Sequence, residues 1–240
     1  MPYNHIHLWA TAPNDMSEMA DYDDWCLGLV IHEYAHILHM DTFGGVAKAI
    51  NAIFGKVYPP NGVQPRWIIE GLATVMESRH TGGGRLQSTQ WDMMMRAAVL
   101  EDEFLPVDSI AIGPIGWPHG TAIYLYGSYF LEYVADAYGE EALAAMSHEY
   151  GKSLIPLGIN RTIRDVTGKT WLELYDDWYA AAREEYAAQA EEVRGKGVRE
   201  GIRITDTGEL DRSPRFSPDG SGIAWFSWDG HDRSGLYTID

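Results

Sequence analysis

Apolar residues recur at the three-to-four-residue spacing of a helix over most of the chain up to about residue 194. Glycine and proline clusters interrupt this pattern and divide it into segments. The segments predict long helices at about 23–40, 67–79, 88–101, 120–138, 140–150 and 170–194, and short ones at 46–54 and 160–166. One face of the last helix carries a stripe that we expect to face the core: Trp171, Leu174, Trp178, Ala182 and Tyr186.

A two-residue period, typical of half-buried strands, occurs near both ends of the chain. It predicts an edge strand at His5–Trp9 and two short strands at 223–227 and 236–239. Turn residues separate the last two strands, which therefore predict a β-hairpin. The turn-rich segment from Pro106 to Pro118 is expected to be a loop.

These elements predict a mainly α (α+β) chain that consists of two parts. Residues 1–200 are expected to form a helical domain with a small edge sheet, and residues 201–240 an incomplete β-structure. A basic, glycine-bearing linker lies between them at 195–201. The length of 240 residues and the apolar content of 45% suit one sizeable core plus a fragment.

Charge and composition limit the partners of the chain. The net charge of −17 disfavours nucleic acid and anionic membrane surfaces, because both bind basic faces. No stretch of the sequence approaches the ~20 apolar residues of a membrane span. The single cysteine, Cys26, excludes an internal disulfide, and its place in an apolar run predicts a small buried residue.

The strongest chemical signal is an H-E-x-x-H sequence at residues 32–36, inside the first predicted helix. Residues four apart lie on one helix face, so His32 and His36 can direct ring nitrogens at the same point. Glu33 lies beside them, within reach of a water held at that point. A hydrolytic zinc needs two or three protein ligands, an open position for water and a carboxylate base. The pattern therefore predicts a zinc site with Glu33 as the general base.

The sequence contains two candidates for a third zinc ligand. His39 lies one turn beyond the motif, but three ligands from one straight helix would strain a tetrahedral site. The longer pattern H-E-x-x-H-x-x-G-x-x-H fails, because its last two fixed positions hold His39 and Thr42. The helix at 67–79 begins with W-x-x-E-G-x-A, which resembles the glutamate-zincin (gluzincin) peptidases. The resemblance implies a zincin-like metallopeptidase fold that binds one Zn²⁺ per chain through His32, His36 and Glu70.

Other residues near these motifs have open roles. Glu77 shares a helix face with Glu70 and is expected to be solvated or to support a ligand from behind, with solvation favoured. Gluzincin aminopeptidases have a Y-E-K-G helix start, whose tyrosine stabilises the tetrahedral intermediate. Tyr124 and Gly127 match its tyrosine and glycine, and Tyr126 and His119 stay as alternative donors.

The tail resembles one blade of a TolB-like β-propeller, on the sequence P-R-F-S-P-D-G at 214–220. Bacterial proteins join a glutamate-zincin domain to such a propeller, which implies a periplasmic or secreted location and a chain that is part of a longer protein. One blade cannot bury its sheet alone. Residues 205–240 are therefore expected to be mobile, to dock on the peptidase domain or to self-associate with another copy.

The resemblance implies a zinc metallopeptidase, a hydrolase of peptide or protein substrates. The aminopeptidases of the superfamily hold the substrate amino terminus with a G-x-M-E-N stretch, and none precedes His32. Endopeptidase activity is therefore favoured, with an extended peptide pairing to the strand expected at His5–Trp9. The alternative is a non-catalytic binding module with a structural or vestigial zinc site, which the intact Glu33 disfavours.

Overall fold

The computed structural model of the chain describes residues 5–8, 11, 24–114, 116–154, 158–206, 210–229 and 234–239. Within them the chain is mainly helical and ends in a small antiparallel sheet. The α-helices are α1 (Trp25–Asp41), α2 (Gly45–Phe54), α3 (Arg66–His80), α4 (Thr89–Leu100), α5 (Val107–Ile112), α6 (Ala122–Tyr138), α7 (Glu141–Gly151), α8 (Ile159–Thr167) and α9 (Trp171–Gly195). Packing divides the chain into two units, Met1–Glu191 and Glu192–Asp240, so the division falls within α9. Among the described helices, none combines the length and the hydropathy that a membrane span requires.

The eight helices that the sequence predicts are all present, and their ends agree with the prediction to within two residues. One helix, α5, is not predicted. Pro106 immediately precedes α5, and Gly113 follows it with a φ of 75°. The residues that indicated a loop are thus the two ends of a short helix, which buries Ile110 completely.

The edge strand predicted at His5–Trp9 is wrong over residues 5–8, which form no strand, while Trp9 lies outside the described residues. No described residue of the unit Met1–Glu191 lies in a strand, so the small edge sheet expected there is not found. A strand needs a neighbour for its backbone hydrogen bonds. Residues 5–8 alternate polar and apolar side chains, but among the described residues of this unit no strand is present to pair with them.

Helix α3 packs against both α1 and α6, and its contact with α6 is especially close. A Cβ atom added at Gly71 of α3 would lie 2.5 Å from the carbonyl carbon of Gly127 in α6. One added at Gly127 would lie 2.3 Å from the carbonyl oxygen of Trp67. Non-bonded carbon atoms normally approach to ~3.5–4.0 Å, so two glycines allow the helices to meet at this distance.

The core beside this crossing is largely aromatic. Trp67 of α3, Phe130 of α6 and Trp171 of α9 contact one another, with ring centroids 5.0, 5.3 and 5.5 Å apart. All five residues of the predicted α9 stripe are buried, which confirms that this face packs against the core. Each such aromatic pair contributes about 0.5–1.5 kcal/mol beyond its buried area, which fixes the helices that carry the site.

Cys26 is exposed, so its predicted burial is wrong. Helix α1 buries the face that contains Gly28 and His32. Cys26 precedes Gly28 by two residues and lies about 200° around the helix, on the opposite side. The apolar run that suggested burial continues on this exposed side, where four large side chains are accessible: Leu27, Val30, Tyr34 and Leu38.

The unit Glu192–Asp240 contains a three-stranded antiparallel sheet in the order β1 (Leu210–Phe216), β2 (Ile223–Trp228) and β3 (Ser234–Ile239). Strands β2 and β3 are the predicted hairpin, in which the rings of Trp225 and Tyr237 stack with centroids 6.1 Å apart. Strand β1 is not predicted, because it contains Pro214 and lacks regular alternation. A shift in the strand register between Arg212 and Arg215 accommodates the proline.

Candidate metal centre

Three predicted ligand residues converge from two helices. His32 and His36 lie one turn apart on α1, and Glu70 lies on the neighbouring helix α3. The Nε2 atoms of His32 and His36 are 3.4 and 3.3 Å from the same carboxylate oxygen, Oε2 of Glu70. Among the described residues, these three form the group of histidine, cysteine and acidic side chains that could hold a metal.

The spacing of the three atoms fits a tetrahedral metal site. Zinc binds imidazole nitrogen and carboxylate oxygen at ~2.0–2.2 Å, which places neighbouring ligand atoms of a tetrahedron about 3.3–3.6 Å apart. The distances of 3.3 and 3.4 Å from Glu70 to the two histidines fall within this range. Two imidazoles and one carboxylate are also a donor set that zinc accepts. The residues present therefore fit the ion that the sequence predicts.

The local sequence explains why Glu70 faces α1. Helix α3 begins after Pro65, and the fully buried Trp67 fixes its first turn in the core. Arg66, one turn before Glu70, lies 3.6 Å from its second oxygen, Oε1, at the exposed rim. Oε2 is thereby left facing the histidines. Gly71, the next residue, lies about 100° around the helix and allows the close approach of α6.

Charge in the centre favours an ionised carboxylate. Burial alone would raise the pKa of Glu70, but its hydrogen bonds and charge interactions with His32 and His36 lower the pKa well below its usual range. For His32, burial would lower the pKa, but Glu70 and Glu77 raise it above its ordinary value. An anionic oxygen facing two histidine nitrogens is an arrangement that a cation stabilises.

Glu33 and Tyr124 share the cavity next to these ligands. The cavity has a volume of about 300 Å³ and is also lined by His32, His36 and Glu70. Tyr124 comes from α6, three residues before Gly127, so the close helix crossing brings it to the site. Its ring centroid is 6.4 Å from that of His32. Burial raises the pKa of Tyr124, and the negative charge of Glu70 adds to this effect.

The two alternative donors lie elsewhere. Tyr126 is completely buried in the aromatic core, where its hydroxyl accepts a hydrogen bond of 3.3 Å from the backbone N–H of Leu105. His119 lies in a 3-10 turn before α6 and does not line the cavity. Of the three donors that the sequence offers, Tyr124 is thus the one beside the candidate ligands.

His39, the rival ligand, points away from the centre. Its Nδ1 is 2.8 Å from Ser147 Oγ, and its Nε2 is 3.1 Å from Gln64 Oε1. Both ring nitrogens are therefore engaged by α7 and by the segment before α3. Burial lowers the pKa of His39 to about 4, so the buried ring is neutral at pH 7. Asp41, also on α1, pairs with Lys56.

Glu77 is buried, which contradicts the expectation that it is solvated. Its Oε2 lies 2.9 Å from His32 Nδ1, and both of its oxygens accept hydrogen bonds from Arg85. Burial would raise the pKa of Glu77, but Arg85 and His32 lower it to about 2. Glu77 therefore supports His32 from behind, the role that the sequence left as the less favoured one.

No sequence pattern points to Arg85. It follows three consecutive glycines in a stretch without helical period, so no pattern relates it to the histidine motif.

His36 differs from His32, because its Nδ1 is buried and has no hydrogen-bond partner among the described residues. The two candidate histidine ligands are thus held differently, His32 by side chains and His36 by its position in the helix and its edge-on packing against His32.

The chain was compared with family models, with curated proteins and with solved structures, and none of them matches. The candidate centre therefore depends on its own geometry and on the two sequence motifs that meet there. Those motifs lie on α1 and α3, and 33 residues separate His36 from Glu70.

Proposed function

We propose that the chain is a zinc-dependent peptidase with a zincin-like catalytic domain. In this proposal His32, His36 and Glu70 hold one zinc ion, and Glu33 and Tyr124 act on the substrate. The observation that carries the proposal is the approach of both Nε2 atoms to one oxygen of Glu70, at the ligand spacing of a tetrahedral site. Three protein ligands, rather than four, are typical of catalytic zinc sites, which keep one position open.

The bound ion would supply Lewis acidity, which polarises a peptide carbonyl and brings the pKa of a water toward ~7. Glu33 accepts the proton of the attacking water and delivers it to the departing amine. Tyr124 donates a hydrogen bond to the carbonyl oxygen as negative charge develops on it. Its raised pKa keeps the phenol protonated at neutral pH, so that it can donate.

The cavity wall indicates which peptides fit. Beside the candidate ligands it presents the apolar side chains of Ile37, Met40 and Ile69. We therefore propose substrates with an aliphatic side chain next to the cleaved bond. The preference for an endopeptidase now depends on the missing G-x-M-E-N stretch alone, because residues 5–8 form no strand for a peptide to join.

The propeller resemblance of the tail adds two parts to the proposal. A periplasmic or secreted location follows from that resemblance. Self-association of the sheet follows from its outer strands, because β1 and β3 each pair on one side only within the described sheet. Analytical ultracentrifugation of the whole chain tests the second part, and a monomer at all concentrations would contradict it.

Cleavage of a peptide library by the wild type and by Glu33→Gln tests the proposed reaction. The variant keeps the size of the side chain but removes the base, so we expect a loss of about 10²–10⁴-fold in activity at unchanged zinc content. Equal cleavage by both proteins would exclude Glu33 as the base. If both proteins bind zinc and neither cleaves any peptide, the non-catalytic binding module replaces the peptidase as the best account.

A further inference from the structure

Arg85 contacts both a candidate ligand and the candidate oxyanion donor. Its Nε donates to Glu77 Oε1 and its Nη2 to Glu77 Oε2, each at 2.7 Å. The same Nη2 is 3.0 Å from His32 Nδ1. Its guanidinium carbon lies over the ring of Tyr124, 4.9 Å from the ring centroid, and 5.6 Å from that of Trp91. One buried side chain thus connects α1, α3, α4 and α6 around the centre.

A tight turn holds Arg85 in this place. Gly84 has a φ of 127°, and a Cβ atom there would lie 2.7 Å from Ser78 Cα. The backbone N–H of Leu86 donates to Ser78 Oγ at 3.2 Å, and the side chain of Gln87 donates to the Ser78 carbonyl at 3.0 Å. The chain after α3 therefore folds back onto the last turns of that helix. A residue other than glycine at position 84 would prevent this approach.

The hydrogen bonds between Arg85, Glu77 and His32 select one tautomer of the histidine. An ionised carboxylate can only accept hydrogen bonds, and a guanidinium can only donate them. While Glu77 takes both donors of the Arg85 fork, His32 Nδ1 donates its own N–H to Glu77 Oε2. Glu70 Oε2 competes for the same proton from the other side, 3.4 Å from Nε2. Glu77 Oε2 is the nearer acceptor, at 2.9 Å from Nδ1, so a neutral His32 carries its proton on Nδ1 and leaves Nε2 able to bind a metal. Without the fork, Glu77 would no longer be held against Nδ1, and Glu70 would favour the tautomer that carries its proton on Nε2.

Arg85 also contacts Tyr124, which lines the cavity. A guanidinium over an aromatic face contributes roughly 0.5–2 kcal/mol, more when it is desolvated, and only 9% of the surface of Arg85 is exposed. The contact limits the directions in which the phenol can point. Trp91, which contacts the same guanidinium, is itself almost completely buried.

We propose that Arg85 is a positioning residue that fixes His32 in the metal-binding tautomer and holds the ring of Tyr124 beside the metal centre. Its effect on His32 concerns metal binding alone. Its effect on Tyr124 rests on the proposed peptidase function. The two effects are separated by measuring zinc affinity and catalysis on the same variants.

The test compares Arg85→Met and Arg85→Lys with the wild type, using the whole chain. Competition with a chelator gives the affinity for Zn²⁺. Nitrogen-15 spectra of the zinc-free protein, recorded at an alkaline pH where the His32 ring is neutral, give its tautomer. Outer hydrogen-bond partners of metal ligands typically change affinity by about 10–100-fold, so we expect Arg85→Met to lose that much and to show mixed tautomers. Arg85→Lys keeps the charge but not the fork, so its zinc affinity should lie between those of the wild type and Arg85→Met.

A matched control is Arg79→Met. Arg79 also makes a two-bond contact to a carboxylate, Glu132, at 3.0 Å for each bond, but it is not among the residues that line the cavity. The Arg79→Met substitution should lower the stability of the fold without changing the zinc affinity or the His32 tautomer. If Arg85→Met does not fold, Arg85→Lys decides, because it keeps Glu77 paired with a cation.

Wild-type zinc affinity and tautomer in a folded Arg85 variant would overturn the proposal, whether or not the protein cleaves peptides. If the wild type is active, Arg85→Met should lower kcat more than it raises KM, because Tyr124 acts in the transition state. A wild type that cleaves no peptide defeats the proposed function, while the zinc and tautomer measurements still decide on Arg85.

Discussion

Substitution of Gly71 by alanine tests whether the close crossing of α3 and α6 builds the site. The new Cβ would lie 2.5 Å from Gly127 C, 2.7 Å from Gly127 O and 2.9 Å from Gly127 Cα. All three atoms belong to the backbone, so no side chain can rotate away. To reach a normal contact of ~3.5 Å, the two helices must separate by roughly 1 Å.

The cost of this separation can be estimated. Overpacking of a tight core costs about 1–3 kcal/mol, and the better helix propensity of alanine returns up to ~1 kcal/mol. In a protein of this size each kcal/mol changes Tm by about 2–4 °C. The same shift moves Glu70 relative to Tyr124, since Glu70 precedes Gly71 and Tyr124 lies three residues before Gly127. A misplacement of ~1 Å can lower catalysis by ~10²-fold.

Calorimetry of the zinc-free proteins and peptidase assays of the zinc-loaded ones measure the two effects. Gly195→Ala is the matched control. Gly195 is also helical, as the last residue of α9, but a Cβ atom there would meet nothing within 4 Å. The control should melt at or slightly above the wild-type temperature and keep full activity. A Gly71→Ala protein with the melting temperature and kcat of the wild type would refute the argument that this contact positions the site.

Two further predictions concern His39 and the phenol donor. Burial lowers the pKa of His39 from 6.5 to about 4, so the unfolded chain binds more protons than the folded one between these pH values, and stability must fall as pH drops through this window. We expect a loss on the order of 2 kcal/mol from His39 between pH 7 and pH 5, measured by urea unfolding, and a smaller pH dependence in His39→Gln. An equal pH dependence of stability in the two proteins would contradict the role assigned to the buried His39. Tyr124→Phe should lower kcat by about 10²–10³-fold with little change in KM, whereas Tyr126→Phe, a core substitution, should keep kcat in the fraction that folds. The reverse order of the two kcat values would transfer the donor role to Tyr126.

The long helices could be predicted because their sequences carry a sustained period and clear ends. Helices α1, α3, α6 and α9 all begin and end within two residues of the predicted positions. Helix α5 could not, because it is too short to show a period and its ends are marked by the residues that also mark loops. Strand β1 escaped prediction for a related reason, since Pro214 and the irregular register hide its alternation.

Residue spacing indicated His32 and His36, and the resemblance of residues 67–73 to the glutamate-zincins indicated Glu70. The supports of the centre depend instead on how helices meet. Whether Glu77 faces water or His32 is decided by the packing of α1 on α3, and Arg85 reaches the centre only through the turn at Gly84. The exposure of Cys26 could not be predicted for the same reason, because an apolar run does not show which face of the helix packs against a neighbour.

Zinc binding by the wild type and by Glu70→Ala tests the central claim most directly. Elemental analysis and chelator competition on the dialysed proteins should find one zinc per wild-type chain. They should also find a large loss of affinity in Glu70→Ala, because the variant removes the oxygen that lies 3.3–3.4 Å from both histidine nitrogens. Glu77→Gln should weaken binding less, since it keeps all three proposed ligands. Equal zinc content and affinity in the wild type and Glu70→Ala would contradict the proposed centre.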